Sequence, residues 1–221
     1  MPLGLTHMTI NNTVNRTNSI DSVIHEAARA SFIHQGVRKT TIASIARDAR
    51  VSRPTVYVRY KSVDEALAQV LRADAMKVLE VIPDHATTVN EIVECVLALE
   101  TALRTNELYA SLIESDPRVF TFAIFQNQAP PQLLANQRME TLIKQVQEAQ
   151  SSGCGGGGRL IRQGDAHRMA TMLLFMIQTT AFSVDALAQV LGGLDAAREE
   201  FGVQVLNYLS DCERSCGTVG A

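Results

Sequence analysis

Hydrophobic positions along this chain recur at three- and four-residue spacing almost throughout, the period of a helix with one buried face. Ile20, Val23, Ile24, Ala27, Ala28 and Phe32 share such a face, with Ser19 as the expected start of the helix and Gly36 as its stop. Ile42, Ile45, Ala46 and Ala49 form a second, shorter stripe. Val51 then plugs a turn, Ser52 has the chemistry of an N-cap, and Pro54 falls in the first helical turn, where its missing N–H costs nothing. The short helix that follows, roughly 53–59, buries Val56 and leaves Arg53, Thr55, Tyr57 and Arg59 projecting. Ser62-Val63-Asp64-Glu65 reads as a capping box opening a long helix over 63–82, striped by Leu67, Val70, Leu71, Val78 and Leu79 and stopped by Pro83.

Beyond that point the helices lengthen. Thr88-Val89-Asn90-Glu91 is a second capping box, and the helix it opens is almost wholly apolar over 92–103, as a helix in the middle of a domain is. A short helix capped by Asn106 ends before Asp116, and Asp116-Pro117 starts another that carries Phe120, Phe122 and Phe125. Pro130-Pro131 breaks the chain ahead of an amphipathic helix through Leu133, Leu142, Ile143 and Val146. Asp165 is the expected cap of the most apolar helix, which includes Met169, Met172, Phe175, Met176 and Phe182 and ends at Gly192-Gly193. Asp195 is the expected cap of the last helix, with Phe201, Val205, Leu206 and Leu209 as its stripe. The pattern predicts an all-α protein of about nine helices. A flexible arm is expected over 1–18, a three-helix helix-turn-helix head over 19–62, a larger helical domain over 63–214 and a flexible tail over 215–221.

Charge sharpens this division. Residues 16–61 hold nine Lys or Arg against three Asp or Glu, a balance of +6, while the whole chain stands at −3 and the remainder therefore at −9. A basic head on an acidic body is the asymmetry of a protein that meets a polyanion at one end only. Helix, tight turn and short basic helix form the pattern whose second helix lies in the DNA major groove. Arg53 and Thr55 open that helix and are expected at base edges, Arg through guanine O6 and N7 and Thr through a thymine methyl. Ser52 caps it, and Thr41, Tyr57, Arg59, Tyr60 and Lys61 are expected mainly at phosphates.

The stretch over residues 19–67 resembles the DNA-binding domain of the TetR family of bacterial regulators. The resemblance rests on Ala27-Ala28, Phe32, Gly36, Thr40-Thr41, Ile45-Ala46, Ala49, Val51-Ser52 and Thr55-Val56-Tyr57, which agree with the family pattern in order and spacing. Two positions depart from it. Arg50 stands where the family has a turn Gly, so a non-Gly residue is expected in left-handed backbone, and Val63 stands where the family has a Lys. The resemblance implies a homodimer built through the last two long helices, a palindromic operator in double-stranded DNA, and a ligand-released repressor. An activator or architectural binder with the same head is the alternative, and a helical protein-interaction module is the alternative from another class.

The remaining chemistry is sparse. No serine, histidine and acid set, no paired acids and no zinc spacing stands out, so no enzyme activity, cofactor or metal is expected. The glycine run over 153–158 satisfies G-x-G-x-x-G, but a helix precedes it and Arg159-Leu160 follows, so it reads as a loop rather than a phosphate cradle. Four cysteines form no framework, and Cys95 lies in an apolar helix. No run of eighteen apolar residues and no secretory leader pattern occur, which points to the cytoplasm and away from a membrane. A regulator of this type needs a sensor cavity. The Phe- and Met-rich helices predict one lined by Phe122, Phe125, Met172, Phe175 and Met176, with Gln126 or Gln178 as a polar contact, for a hydrophobic, neutral or cationic small-molecule effector.

Overall fold

A computed structural model of the chain describes residues 6–118, 130–152 and 159–211, with side chains from Ile20 onward. Nine α-helices occur among the described residues. They are α1 (Thr6–Gln35), α2 (Ile42–Asp48), α3 (Arg53–Arg59), α4 (Val63–Val78), α5 (Val89–Arg104), α6 (Glu107–Ser115), α7 (Pro130–Ser151), α8 (Ala166–Leu191) and α9 (Leu194–Leu209). Two 3-10 turns, Val37–Lys39 and Leu79–Val81, join some of them. The stretch expected to be a flexible arm is helical from Thr6. Its Thr and Asn residues are poor helix formers, but no Gly or Pro interrupts them, so α1 starts well ahead of Ser19. The chain divides into two compact units, Met1–Asp74 with Glu107–Phe122, and Ala75–Asn106 with Ala123–Ala221.

In the first unit α1 packs on α2 and α6, and α2 on α3. Ile24, Ala28 and Phe32 of α1, Ile45 of α2, Val56 of α3 and Leu108 and Leu112 of α6 are fully buried. Gly36 ends α1 at φ 75°, a left-handed value that suits glycine. The same residue admits α6: a Cβ on Gly36 would lie 3.4 Å from the Ser115 Cβ. Two further contacts fasten this corner. The Ser111 hydroxyl donates to the Ile33 carbonyl at 2.8 Å, and Arg38 lies 3.4 Å from Asp116. Asp74, 1 % exposed, accepts from Arg29 Nε with both carboxylate oxygens, at 3.1 and 3.0 Å. The pairing compensates a charge that burial would otherwise make costly.

In the second unit α8 packs against α5, α7 and α9, and α5 also packs on α9. The inward stripe of α8 (Met169, Leu173, Ile177, Val184) meets a core that includes Ile92 and Leu99 of α5, Met139 and Ile143 of α7, and Phe201 and Val205 of α9. Thr88 caps α5 through the expected box, and hydrogen bonds from the Thr87 and Thr88 amides hold the Glu91 carboxyl below its ordinary value. Asp165 caps α8 through the Arg168 amide at 3.1 Å, and α8 ends at Gly192, φ 88°, with the Gly193 amide reaching the Ala188 carbonyl at 2.8 Å. Pro130 and Pro131 open α7 as its first two residues. The cap of α9 is Gly193, not Asp195; the acid sits inside the first turn, where it suits the positive end of the helix. Leu209 is fully buried in this unit's own core. Glu100 of α5 is likewise buried, within 3.3 Å of Arg104 and 3.7 Å of Arg198 on α9. By length and composition α8 could cross a membrane; one stripe of it packs on three neighbouring helices.

Candidate nucleic-acid interface and effector cavity

The turn between α2 and α3 is built from local devices. Thr41 caps α2, accepting from the Ser44 amide at 3.0 Å while the Ser44 side chain accepts from the Thr41 amide. At the other end, the Arg50 amide bonds the Arg47 carbonyl and the Val51 amide reaches back to that of Ala46, the double closure of a Schellman stop. Arg50 occupies the left-handed position that closure requires, at φ 56°, as its place in the family pattern implied. Ser52 caps α3, and its Oγ lies 3.3 Å from the Thr55 amide and 2.7 Å from the Thr55 hydroxyl. Ser62 accepts from the Glu65 amide, but Glu65 reaches past Ser62 to the Lys61 amide at 2.8 Å, so the box opening α4 closes one residue early.

These devices sort the expected DNA-facing residues into groups. Thr41, Arg53, Tyr57 and Lys61 line one concavity of about 460 Å³, together with Ser62 and Val63. Arg53 and Lys61 are exposed, and Tyr57 is 53 % exposed. Ser52 and Thr55 are committed to the start of α3, and Thr55 is half-buried. Arg59 is half-buried with its guanidinium 5.4 Å over the Tyr60 ring. Tyr60 has no surface to offer a phosphate. It is fully buried, and its hydroxyl lies 3.0 Å from His25 Nδ1 on α1. Burial raises its pKa above the ordinary tyrosine value, with Arg59 opposing, so the phenol stays neutral. A hydroxylated aromatic beside two cations reads as a contact residue, but α1 supplies a core partner thirty-five positions away. Among the described residues no three His, Cys, Asp or Glu converge as metal ligands.

In the second unit, a cavity of about 700 Å³ opens between α7 and α8. Met172, Phe175 and Gln178 are among the residues that line it. Met176 is half-buried and is not part of that lining. Phe122, Phe125 and Gln126 lie outside the described residues. The sequence reading passed over Gln132, Leu133 and Asn136 of α7 and Thr171 of α8, all of which line the cavity. Their signal was present: Gln132 and Asn136 stand four apart on the helix that follows the two prolines, on one face. Asn136 Nδ2 donates to Thr171 Oγ1 at 3.0 Å, and the Thr171 hydroxyl donates onward to the His167 carbonyl at 2.8 Å. That chain fixes the amide orientation, and leaves Asn136 Oδ1 a buried acceptor with no hydrogen-bond partner among the described residues.

A basic three-helix head with a capped turn and a short exposed second helix defines a helix-turn-helix DNA-binding protein. The family model described as "Bacterial regulatory proteins, tetR family" matches residues 24–70. An uncharacterized HTH-type transcriptional regulator of Mycobacterium tuberculosis is 32 % identical over 177 residues, covering 80 % of this chain and 87 % of its own. Among solved structures, the SmeT–triclosan complex is similar with a TM-score of 0.57 at 21 % identity, over 92 % of this chain and 98 % of that one. A TetR/AcrR-family regulator from Thermobifida fusca is similar with a TM-score of 0.60 at 16 % identity, over 87 % of this chain and 97 % of its own. The chain belongs to the TetR family and is a DNA-binding transcriptional regulator.

Proposed function

We propose that this regulator is a homodimeric repressor that leaves a palindromic operator when a small, largely apolar, uncharged effector binds. The observation that carries the reading is the two-sidedness of α8. One stripe of this helix is core, and the opposite one leaves apolar side chains exposed. The exposed residues fall into two sets. Met172 and Phe175, near the N-terminal end, face the cavity beside α7. Leu187, Val190 and Leu191, near the C-terminal end, do not line it, and Val190 is 83 % exposed. This second set and the exposed Val203 of α9 offer apolar surface for a second copy across a two-fold axis. Leu209, buried within the subunit, is not part of that surface.

The character of the effector follows from the cavity wall. Leu133, Met172 and Phe175 supply apolar surface, and Gln178 supplies a polar group on the same wall. The two basic groups at the rim are already engaged, His167 with Glu140 at 2.9 Å and Arg168 with Asp165 at 3.5 Å. A neutral molecule with one hydroxyl or N–H fits this better than a polyanion. The similar fold of SmeT in complex with triclosan supports the capacity of the architecture to hold a small molecule. Release then requires the effector to favour the state that binds DNA less well.

The test couples three measurements. Duplexes retained by the protein from a random pool should converge on an inverted repeat, sedimentation should give a dimer at micromolar concentration, and an apolar neutral ligand found by thermal shift should lower operator affinity. Monomeric protein would end the dimer reading. Stabilisation by nucleotides or acyl-CoA thioesters alone would end the effector reading and leave DNA binding standing.

A further inference from the structure

α3 is turned so that its most solvent-facing line is apolar. Val56 is fully buried and marks the inward direction. Two residues further on, about 200° round the helix, Val58 is 90 % exposed. Pro54, two residues before Val56, is exposed on the same outer face, and Pro54 and Val58 lie one turn apart. Arg53 and Tyr57 flank this ridge on the side of the concavity shared with Thr41 and Lys61. A branched apolar side chain so exposed, in a stretch with a charge balance of +6 over residues 16–61, packs on no core of its own chain. Its surroundings fit a polyanion that also presents apolar groups. The major groove does so, through the C5-methyl of thymine.

We propose that Val58 is a specificity residue of the regulator, which reads a thymine by packing its side chain on the C5-methyl group, with Pro54 as the neighbouring wall. The inference rests on the reading that α3 enters the major groove. Thr55, the residue whose type first suggested a methyl contact, is half-buried with its hydroxyl 2.7 Å from Ser52 Oγ, and so holds the helix start. The recognition surface is then divided. Arg53 offers hydrogen bonds to a guanine edge, and Val58 offers only shape and apolar area, which distinguish thymine from cytosine and from a thymine stripped of its methyl.

The experiment uses the full chain and a duplex selected by it from a random pool. Each thymine of one half-site is replaced in turn by deoxyuridine, which removes the methyl and nothing else. Dissociation constants are measured at one fixed salt concentration for the wild type, Val58→Ala and Val58→Thr. At one thymine per half-site the wild type should lose about three- to tenfold in affinity, the scale of one buried methyl. Val58→Ala should bind the thymine and deoxyuridine duplexes alike, and Val58→Thr, which keeps one methyl, should fall between. Because Val58 is 90 % exposed, thermal melting of all three proteins should coincide. Tight selective binding with identical deoxyuridine profiles for wild type and Val58→Ala overturns this inference alone. Failure to select any preferred duplex overturns the groove reading, and this inference with it.

Discussion

Arg50 offers a direct measure of what the turn between the two short helices costs. Its φ of 56° places an L-residue with a Cβ where steric crowding costs about 1–2 kcal/mol. Arg50→Gly removes that crowding. Against this, glycine gains chain freedom in the unfolded state, a penalty of about 0.4–1 kcal/mol. The net expectation is a stabilisation of about 0.5–1 kcal/mol, or roughly 1–4 °C in melting temperature for a chain of this size. Arg50→Ala is the matched control: it removes the same charge but retains the Cβ, and the side chain is exposed, so its stability should stay near wild type. The assay is thermal and urea unfolding followed by circular dichroism, at one protein concentration because dimerisation shifts apparent stability. Operator binding should depend on salt identically in the two variants, since both lose one cation. A glycine variant less stable than the alanine variant, as at an ordinary helical position, would refute the left-handed turn.

Lys61→Ala should weaken binding to all sequences alike and reduce the slope of log K against log salt by about 1, whereas Arg53→Ala should cost about 1–3 kcal/mol on the operator and relax its selectivity. An unchanged ratio of specific to random binding in Arg53→Ala would remove that residue from base readout. Val190→Asp combined with Val203→Asp should give folded monomers by sedimentation, because both side chains are exposed within the subunit; a stable dimer would place the interface elsewhere. Burial pushes the Cys95 thiol up from 9.0 to about 11. The folded state therefore resists losing this proton, and the stabilisation is complete below pH 9 and declines as the pH rises through 11. Wild type should lose stability to urea relative to Cys95→Val over that window, and parallel pH curves would show the thiol is not buried as described.

The helix-turn-helix was legible because its instructions are local. Ser52 and Pro54 act on backbone groups within a turn of themselves, and Arg50 announces its strain by standing where the pattern wants glycine. The caps at Thr88 and Asp165 were legible for the same reason. What failed were inferences needing a distant partner. Tyr60 was read as a contact residue until His25 and the core of α1 claimed it. Leu206 and Leu209 both lie on the stripe of α9, yet Leu209 is buried in the subunit and Leu206 only partly so. Periodicity gives a face, not the identity of what covers it. Asn136 shares a helix face with Gln132, but its link to Thr171 was invisible because only the packing of α7 on α8 makes the two a pair.

The fastening of α6 to the end of α1 carries a consequence for how the molecule is born. Gly36, Ile33 and Arg38 find their partners at Ser115, Ser111 and Asp116, so the DNA-reading unit is discontinuous along the chain. A ribosome emits residues 1–74 long before it emits α6, and until then the α1 surface that receives Leu108 and Leu112 stays wet. The nascent head is thus a waiting intermediate, with its last wall delivered only after α5 has been made. A fragment ending at residue 74 should for the same reason be a poor stand-in for the head, aggregating or melting early, whereas one in which 107–118 is supplied through a short linker should restore it.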